Sequence, residues 1–303
     1  MAVTPIRRIA EPRGPSLYDL IVSEALSSAW SRAEVARSES VHPELVIRRD
    51  GNLLVGLEGG RLAYSFRADS AFIDNFEPMF DQLLPRLRRA YPGAGRATFR
   101  LIHNPSRPTV EPVLRRLWFA PRRSWLMFSL QRGSPPPRVG VLPGVRFRDG
   151  SLADLDAVVR IDDECFPETP VGIPAMRTEI EAGSCLLIAT VADRAVGFAL
   201  FRQADEDGGR AYLSTLAVTE QSRGRGIGHA LTVRVARKLF AEGARHLDLR
   251  TDDTNAPAVR LYVKLGFKQV QAGRDYARPL DPREIARLKK AGEGTLIRFG
   301  GWR

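Results

Sequence analysis

Leu216-Ala217-Val218-Thr219-Glu220-Gln221-Ser222-Arg223-Gly224-Arg225-Gly226-Ile227-Gly228-His229-Ala230-Leu231 is the stretch whose reading decides the fold. The apolar run AYLSTLAV (211–218) reads as a strand that ends in a glycine-rich loop. GHALTVRVARKLFAEG then carries apolar residues at helical spacing and stops at Gly243. Glycines let several backbone N–H groups converge where side chains would block a close approach. The helix N-terminus adds unpaired donors and partial positive charge, so the loop suits a pyrophosphate. A Walker loop needs Lys-Ser or Lys-Thr after the last glycine, and His229-Ala230 stands there instead. A dinucleotide fingerprint needs GxGxxG with an acidic residue about 20 positions on. Asp248 lies near that distance, but the glycine spacing is wrong.

Outward from this loop the chain alternates strands and helices. VRFRDG (145–150) reads as a strand and turn. SLADLDAVVRIDDECF follows as a helix, with Ser151 as N-cap and Asp154 completing a capping box. A second helix is expected over 172–182, and CLLIATVADRAVGFALFRQ forms two strands about Ala192-Asp193-Arg194. HLDLRT is a strand. APAVRLYVKLG is a helix with Pro257 in its first turn and Gly266 as its stop, and KQVQAGRDYARPL is expected to be a final strand pair.

Upstream, LYDLIVSEALSSAWSRA reads as helix and NLLVGLEGGRLAYSFR as a hairpin turning at Gly59-Gly60. AFIDNFEPMFDQLLPRLRRA has a helical pattern that Pro78 and Pro85 are expected to kink or interrupt. ATFRLIH is a strand, TVEPVLRRLWF a helix and SWLMFSLQ a strand. The order strand, strand, helix, strand, helix, strand thus occurs twice, a duplication of pattern with little residue identity. RGSPPPRVGVLPG (132–144), with four prolines and three glycines, separates the copies.

Arg223-Gly224-Arg225-Gly226-Ile227-Gly228 resembles the acetyl-CoA loop, (R/Q)xxGxG, of the GNAT superfamily of N-acetyltransferases. Asn255-Ala256-Pro257-Ala258-Val259-Arg260-Leu261-Tyr262-Val263-Lys264-Leu265-Gly266-Phe267 resembles that family's second signature, N…A…LY..LGF. Two motifs in this order and spacing make the likeness specific, and it covers residues 145–278. The resemblance implies a fold and a set of roles. The fold is α/β in the α+β sense: two GNAT-like domains, each a mostly antiparallel mixed sheet flanked by helices. The expected boundaries are 1–131 for a degenerate domain, 132–144 for a linker, 145–280 for a catalytic domain and 281–303 for a terminal helix and tail.

The resemblance further implies that the backbone of Leu216, Ala217 and Val218 pairs with the pantetheine arm as an added strand. The amides of Arg225, Gly226, Ile227 and Gly228, flanked by Arg223, Gly224 and His229, would hold the pyrophosphate. Asn255 would bond the pantetheine or acyl region, or simply cap its helix. Tyr262 would protonate the leaving thiolate as an amine attacks the thioester directly. Acetyl-CoA is the implied acyl donor, and no metal is expected.

Many relatives place a glutamate five residues before the asparagine. Arg250 occupies that position here, so the base is open. Asp248, Asp252 and Asp253 are the neighbouring carboxylates, while Glu206 and Asp207 read as turn decoration. In the first copy no glycine loop follows LAYSFR, and Leu114 stands where Tyr262 stands before Leu117-Trp118-Phe119. That half resembles the degenerate half of tandem GNAT proteins such as the mycothiol synthases, and silence is expected of it.

Bulk properties fit this reading. A chain of 303 residues is long enough for two domains, and 44% hydrophobic residues supply cores for both. No run approaches the roughly 18 apolar residues of a membrane span, and MAVTPIRRIAEPRGPS lacks a secretion signal, so a cytoplasmic protein without a membrane partner is expected. Cys165 and Cys185 give neither metal spacing nor a disulfide framework, and His42, His103, His229 and His246 are scattered. The net charge of +11 is concentrated before residue 140, where 21 Lys+Arg face 13 Asp+Glu. A solvated arginine-rich surface is the simpler account of that excess. The expected acceptor is a small-molecule or peptide amine. The competing readings are a non-catalytic acyl-CoA sensor and an acetyltransferase acting on a ribosome- or RNA-associated substrate.

Overall fold

The computed structural model describes residues 26–27, 32–66, 69–102, 110–133, 140, 142–167, 171–204 and 209–292. Most of the proline-rich linker, the tail beyond 292, and Glu206 and Asp207 lie outside them. The chain forms two compact units, 1–124 with 273–302, and 125–272. The fold is a mixed α/β arrangement in which sheets of mixed strand orientation are flanked by helices.

The unit boundaries depart from chain order. Strand β6 (Ala120–Gln131) was expected to end the first half, yet its residues from Trp125 pair antiparallel with β11 (His246–Asp252) in the second unit. The expected strand pair over 268–280 is one strand, β12 (Lys268–Pro279). Its residues from Gly273 pair antiparallel with β5 (Arg96–Ile102) in the first unit. Gly273 does not take the left-handed backbone a tight turn would use, so the chain runs straight on. Each half therefore supplies the closing strand of the other unit.

In the first unit, β2 (Val46–Arg49), β3 (Asn52–Leu57) and β4 (Arg61–Phe66) form an antiparallel meander, turning at Gly59 and Gly60 as expected. Helix α1 (Arg32–Val41) precedes it. The helix read over 17–33 lies largely outside the described residues, and within it Leu26–Ser27 is strand β1, pairing with Phe66 and Ser65. Helix α2 (Asp69–Ala90) passes through Pro78 and Pro85 without interruption. Neither proline is on its buried face, and the carbonyls they leave unbonded, those of Asp74 and Asp81, belong to exposed residues. Phe72, Phe76, Phe80 and Leu83 on the inner face pack with Tyr64, Phe99 and Phe119. Helix α3 (Val110–Arg116) precedes β6.

The second unit runs in the order β7 (Val145–Asp149), β8 (Cys185–Val191), β9 (Arg194–Arg202), β10 (Arg210–Val218), β11 and β6. Only β10 and β11 are parallel within it. Helices α4 (Leu155–Cys165) and α5 (Gly172–Glu181) cover one face through Leu155, Val158, Ile161 and Met176. Helices α6 (Ile227–Ala241) and α7 (Ala256–Lys264) cover the other through Leu231, Val235, Tyr262 and Leu265. Ser151 and Asp154 form the expected capping box, although the first turn, Leu152–Asp154, is a 3-10 helix. Helix α8 (Pro282–Gly292) follows β12.

Candidate active site

Parallel pairing between β10 and β11 covers only Arg210–Leu213 against His246–Leu249. Beyond that rung β10 stays with β9 as far as Val218, whereas β11 stays with β6 as far as Asp252. The two strands part, and no described residue bonds into the gap as a strand. A register shift in β10 between Leu213 and Thr215 accompanies the parting. It also changes which residues face α6 and α7: Ala211 and Leu213 before the shift, Leu216 and Val218 after it.

The Thr219 N–H donates to the Val196 carbonyl at 2.9 Å, which sets the alternation of the β9–β10 ladder. Thr215 and Ala217 therefore spend their main-chain groups on β9. Leu216 and Val218 turn theirs to the open side. Of the three residues expected to pair with a pantetheine arm, Ala217 is engaged within the sheet. The Val218 carbonyl accepts from Arg223 Nε at 3.1 Å and from the Cys165 thiol at 3.4 Å.

The loop after β10 is a 3-10 turn (Glu220–Ser222) tied to α4 by the Glu220 N–H, which donates to Glu164 Oε1 at 2.7 Å. Gly224 (φ 75°) and Gly226 (φ 80°) take left-handed backbone. An added Cβ at Gly224 would meet open space. Gly226 is the N-cap of α6, and no side chain caps the helix. The first intrahelical bond runs from the Ala230 N–H to the Gly226 carbonyl. Among the described residues the amides of Gly224, Arg225, Gly226, Ile227, Gly228 and His229 have no acceptor, so six consecutive donors stand unused at a helix N-terminus. Burial, and next the nearby Lys264, push the His229 pKa down, leaving a neutral imidazole beside them. Arg223 turns back to β10 and makes no side-chain contribution to this row of donors.

Asn255 is the N-cap of α7, with its Oδ1 accepting from the Ala258 N–H at 3.2 Å. Tyr262, the buried residue of α7, is 6% exposed, with its ring 6.0 Å from Phe128 and 5.6 Å from Phe267. Its hydroxyl has no hydrogen-bond partner among the described residues. Burial, with a smaller contribution from the Tyr212 phenol, raises its pKa well above 10.0. Arg250 is exposed on β11, its guanidinium 5.7 Å from the centre of the Trp125 ring. Asp253 is exposed and Asp252 half-buried. Asp248 is buried and paired with Arg210 at 2.6 Å. The sequence named it as a neighbouring carboxylate but held no sign of its burial, which depends on the sheet register.

The first unit shows what became of the same plan. Phe119 N–H donates to the Leu114 carbonyl just as Phe267 N–H donates to that of Tyr262. Trp118 (φ 65°) occupies the left-handed position held by Gly266 (φ 87°). Strands β4 and β5 also pair only briefly, Arg61–Leu62 against Thr98–Phe99, before β4 pairs with β1 instead. The edge corresponding to the open side of β10 is thus occupied by the chain's own strand.

Residues 155–267 match the Acetyltransferase (GNAT) family model, so the second unit carries a GNAT acetyltransferase domain. A mycothiol acetyltransferase from Actinosynnema mirum is 33% identical over 167 residues, 52% of this chain and 55% of that protein. An N-alpha-acetyltransferase from Sulfurisphaera tokodaii is 27% identical over 143 residues, 43% of this chain and 84% of that one. The chain spans about half the length of the mycothiol acetyltransferase it matches. A tandem GNAT protein from the clavulanic acid biosynthesis pathway superposes with a TM-score of 0.62 at 13% identity, covering 87% of this chain and 93% of that one. A GCN5-related N-acetyltransferase from Sphaerobacter thermophilus gives 0.60 at 20% identity, covering 76% of each. These two likenesses establish the fold across both halves.

Proposed function

We propose that this chain is an acetyl-CoA-dependent N-acetyltransferase whose active site is the gap between β10 and β11. The observation that carries the reading is the coincidence of that gap with an uncapped helix N-terminus and a buried phenol. The donor's pyrophosphate lies against the amides of Arg225, Gly226, Ile227 and Gly228, with Gly224 and His229 at the flanks. Its pantetheine arm adds as a strand to the outward main-chain groups of Leu216 and to the Val218 N–H, the Val218 carbonyl being held by Arg223 and Cys165. Asn255, its Oδ1 committed to the cap, offers Nδ2 to the acyl end.

A primary amine attacks the thioester carbonyl, forming the N–C bond, and backbone donors of β10 stabilise the tetrahedral oxyanion. Collapse breaks the C–S bond, Tyr262 gives its proton to the departing thiolate, and the proton shed by the attacking nitrogen passes to solvent, from which the phenolate is reprotonated. A phenol kept neutral by burial is protonated across the working pH range, as that role needs. The acceptor is an amine on a small molecule or peptide, the class that the names of the relatives span. Among its described residues the first unit has no counterpart of the loop or the phenol and its free edge is filled, so it is silent. A cytoplasmic setting follows from acetyl-CoA as donor.

The test is release of coenzyme A thiol from acetyl-CoA in the presence of amines. Amine-dependent thiol release that falls with Tyr262→Phe supports the reading. Tight acetyl-CoA binding with no transfer to any amine makes the protein an acyl-CoA sensor instead.

A further inference from the structure

Strand β12 carries an arginine into the aromatic core of the first unit. Tyr276 and Arg278 lie across from Phe99 and Ala97 of β5, which pack under α2, so both stand on the α2 face of the sheet. The Arg278 guanidinium carbon is 5.0 Å from the centre of the Phe80 ring on α2. Arg278 is 8% exposed, and its Nε is buried with no hydrogen-bond partner among the described residues. No described carboxylate forms an ion pair with it. Arg88, in the last turn of α2, reaches the same place. Its Nε donates to the carbonyl of Leu280, two residues beyond Arg278, at 2.6 Å. Its Nη groups have no partner among the described residues.

Two cations thus meet where water is largely excluded. Burial, and next the charge of Arg88, push the Arg278 pKa down, and Asp81, exposed on α2, offsets only part of this. The Phe80 face attracts the cation but does not replace a counter-charge. The negative end of α2 does not supply one either, since Phe80 stands well before the helix end at Ala90 and the dipole fades within the last turn. A desolvated cation beside another is unfavourable unless an anion joins them. A phosphate dianion matches two guanidinium charges and offers oxygens to both N–H forks, whereas a carboxylate matches one. We propose that Arg278 and Arg88 form an anion site in the first unit that takes a small phosphate group, free or as a phosphomonoester. All of its residues belong to the first unit, apart from the glycine loop of the second.

The test is thermal unfolding of the whole chain in inorganic phosphate against chloride of equal ionic strength, with phosphate affinity from calorimetry. At roughly a hundredfold over Kd the parent's Tm should rise by about 4 °C or more. Arg278→Met should lose that response while melting no lower than the parent in chloride, because it removes a buried charge without emptying the space. Arg88→Met should bind phosphate at least about tenfold more weakly, and it carries the test should Arg278→Met fold poorly. Phosphate also stabilises proteins by exclusion from their surfaces, an effect both variants keep, so the difference from the parent is what counts. Gly226→Ala should retain the response, which separates this site from the glycine loop. Methyl phosphate binding more tightly than inorganic phosphate identifies a phosphomonoester as the ligand, and the reverse identifies the free ion. A parent with no response beyond that of the variants, or one stabilised equally by acetate, overturns the assignment.

Discussion

Replacing Tyr262 by phenylalanine removes one hydroxyl and keeps the ring that packs 6.0 Å from Phe128 and 5.6 Å from Phe267. The hydroxyl has no partner among the described residues, so its loss strands no donor or acceptor. Stability should change by no more than about 0.5 kcal/mol. The effect on turnover then belongs to the proton alone. General-acid assistance contributes roughly 10²–10⁴-fold, which at about 1.4 kcal/mol per tenfold corresponds to about 3–5 kcal/mol of barrier. The assay is thiol release at saturating acetyl-CoA and amine, with acetyl-CoA affinity measured separately by calorimetry. We expect kcat to fall by at least about 100-fold with affinity unchanged. Burial keeps the phenol protonated past pH 10.0, so the parent's kcat should show no alkaline loss from this group below that pH. A kcat within about threefold of the parent, at unchanged affinity, would show that the thiolate takes its proton elsewhere.

Gly226→Ala places a Cβ on left-handed backbone at a cost of roughly 1–2 kcal/mol, and any relaxation turns the α6 amides. Acetyl-CoA affinity by calorimetry should drop about tenfold or more; undiminished binding would move the pyrophosphate away from this loop. Asn255→Ala loses the α7 cap and should cost about 1 kcal/mol in denaturant unfolding. A loss of acetyl-CoA affinity beyond that ascribes a ligand contact to Asn255, and none confines it to capping. Asp162 is 1% exposed, and burial pushes its pKa up; the Val171 N–H partly offsets this, and Asp163 adds to it. The folded state thus resists charging this group, and its contribution is lost as pH rises above the ordinary aspartate value of 3.8. Asp162→Asn, whose Oδ1 still accepts from Val171, should raise the Tm at pH 7, with the gain vanishing in acid. A Tm difference that does not change with pH would contradict the burial argument.

The glycine loop, the capping box of Ser151 and Asp154, and the LGF stop were legible in the sequence because each is a local device. Left-handed backbone demands glycine at 224 and 226, a cap needs a short polar side chain, and helix amphipathicity shows within a single turn or two. The correspondence of Leu114 with Tyr262 was legible for the same reason, since one six-residue closing turn at a helix end is repeated in both halves. Prolines were read as helix breakers because sequence does not say which side of α2 faces solvent. The aromatic face that holds that helix together is assembled from strands before and after it.

What only the tertiary structure decided is every feature that depends on pairing between distant segments. A twelve-residue strand reads the same whether it closes its own half or the other. The exchange of Trp125–Gln131 and Gly273–Pro279 therefore has no local signature. The parting of β10 from β11 is set by partners 36 residues apart and by β6, more than a hundred residues from β11. The filling of the first unit's edge by Leu26–Ser27, and the buried second oxygen of Asp248, follow from register in the same way. Sequence by itself determined that a glycine-rich loop at a helix start and a phenol exist in this chain. Long-range hydrogen bonding determined that a gap opens between them, because a strand's free edge is a property of its neighbours and not of its residues.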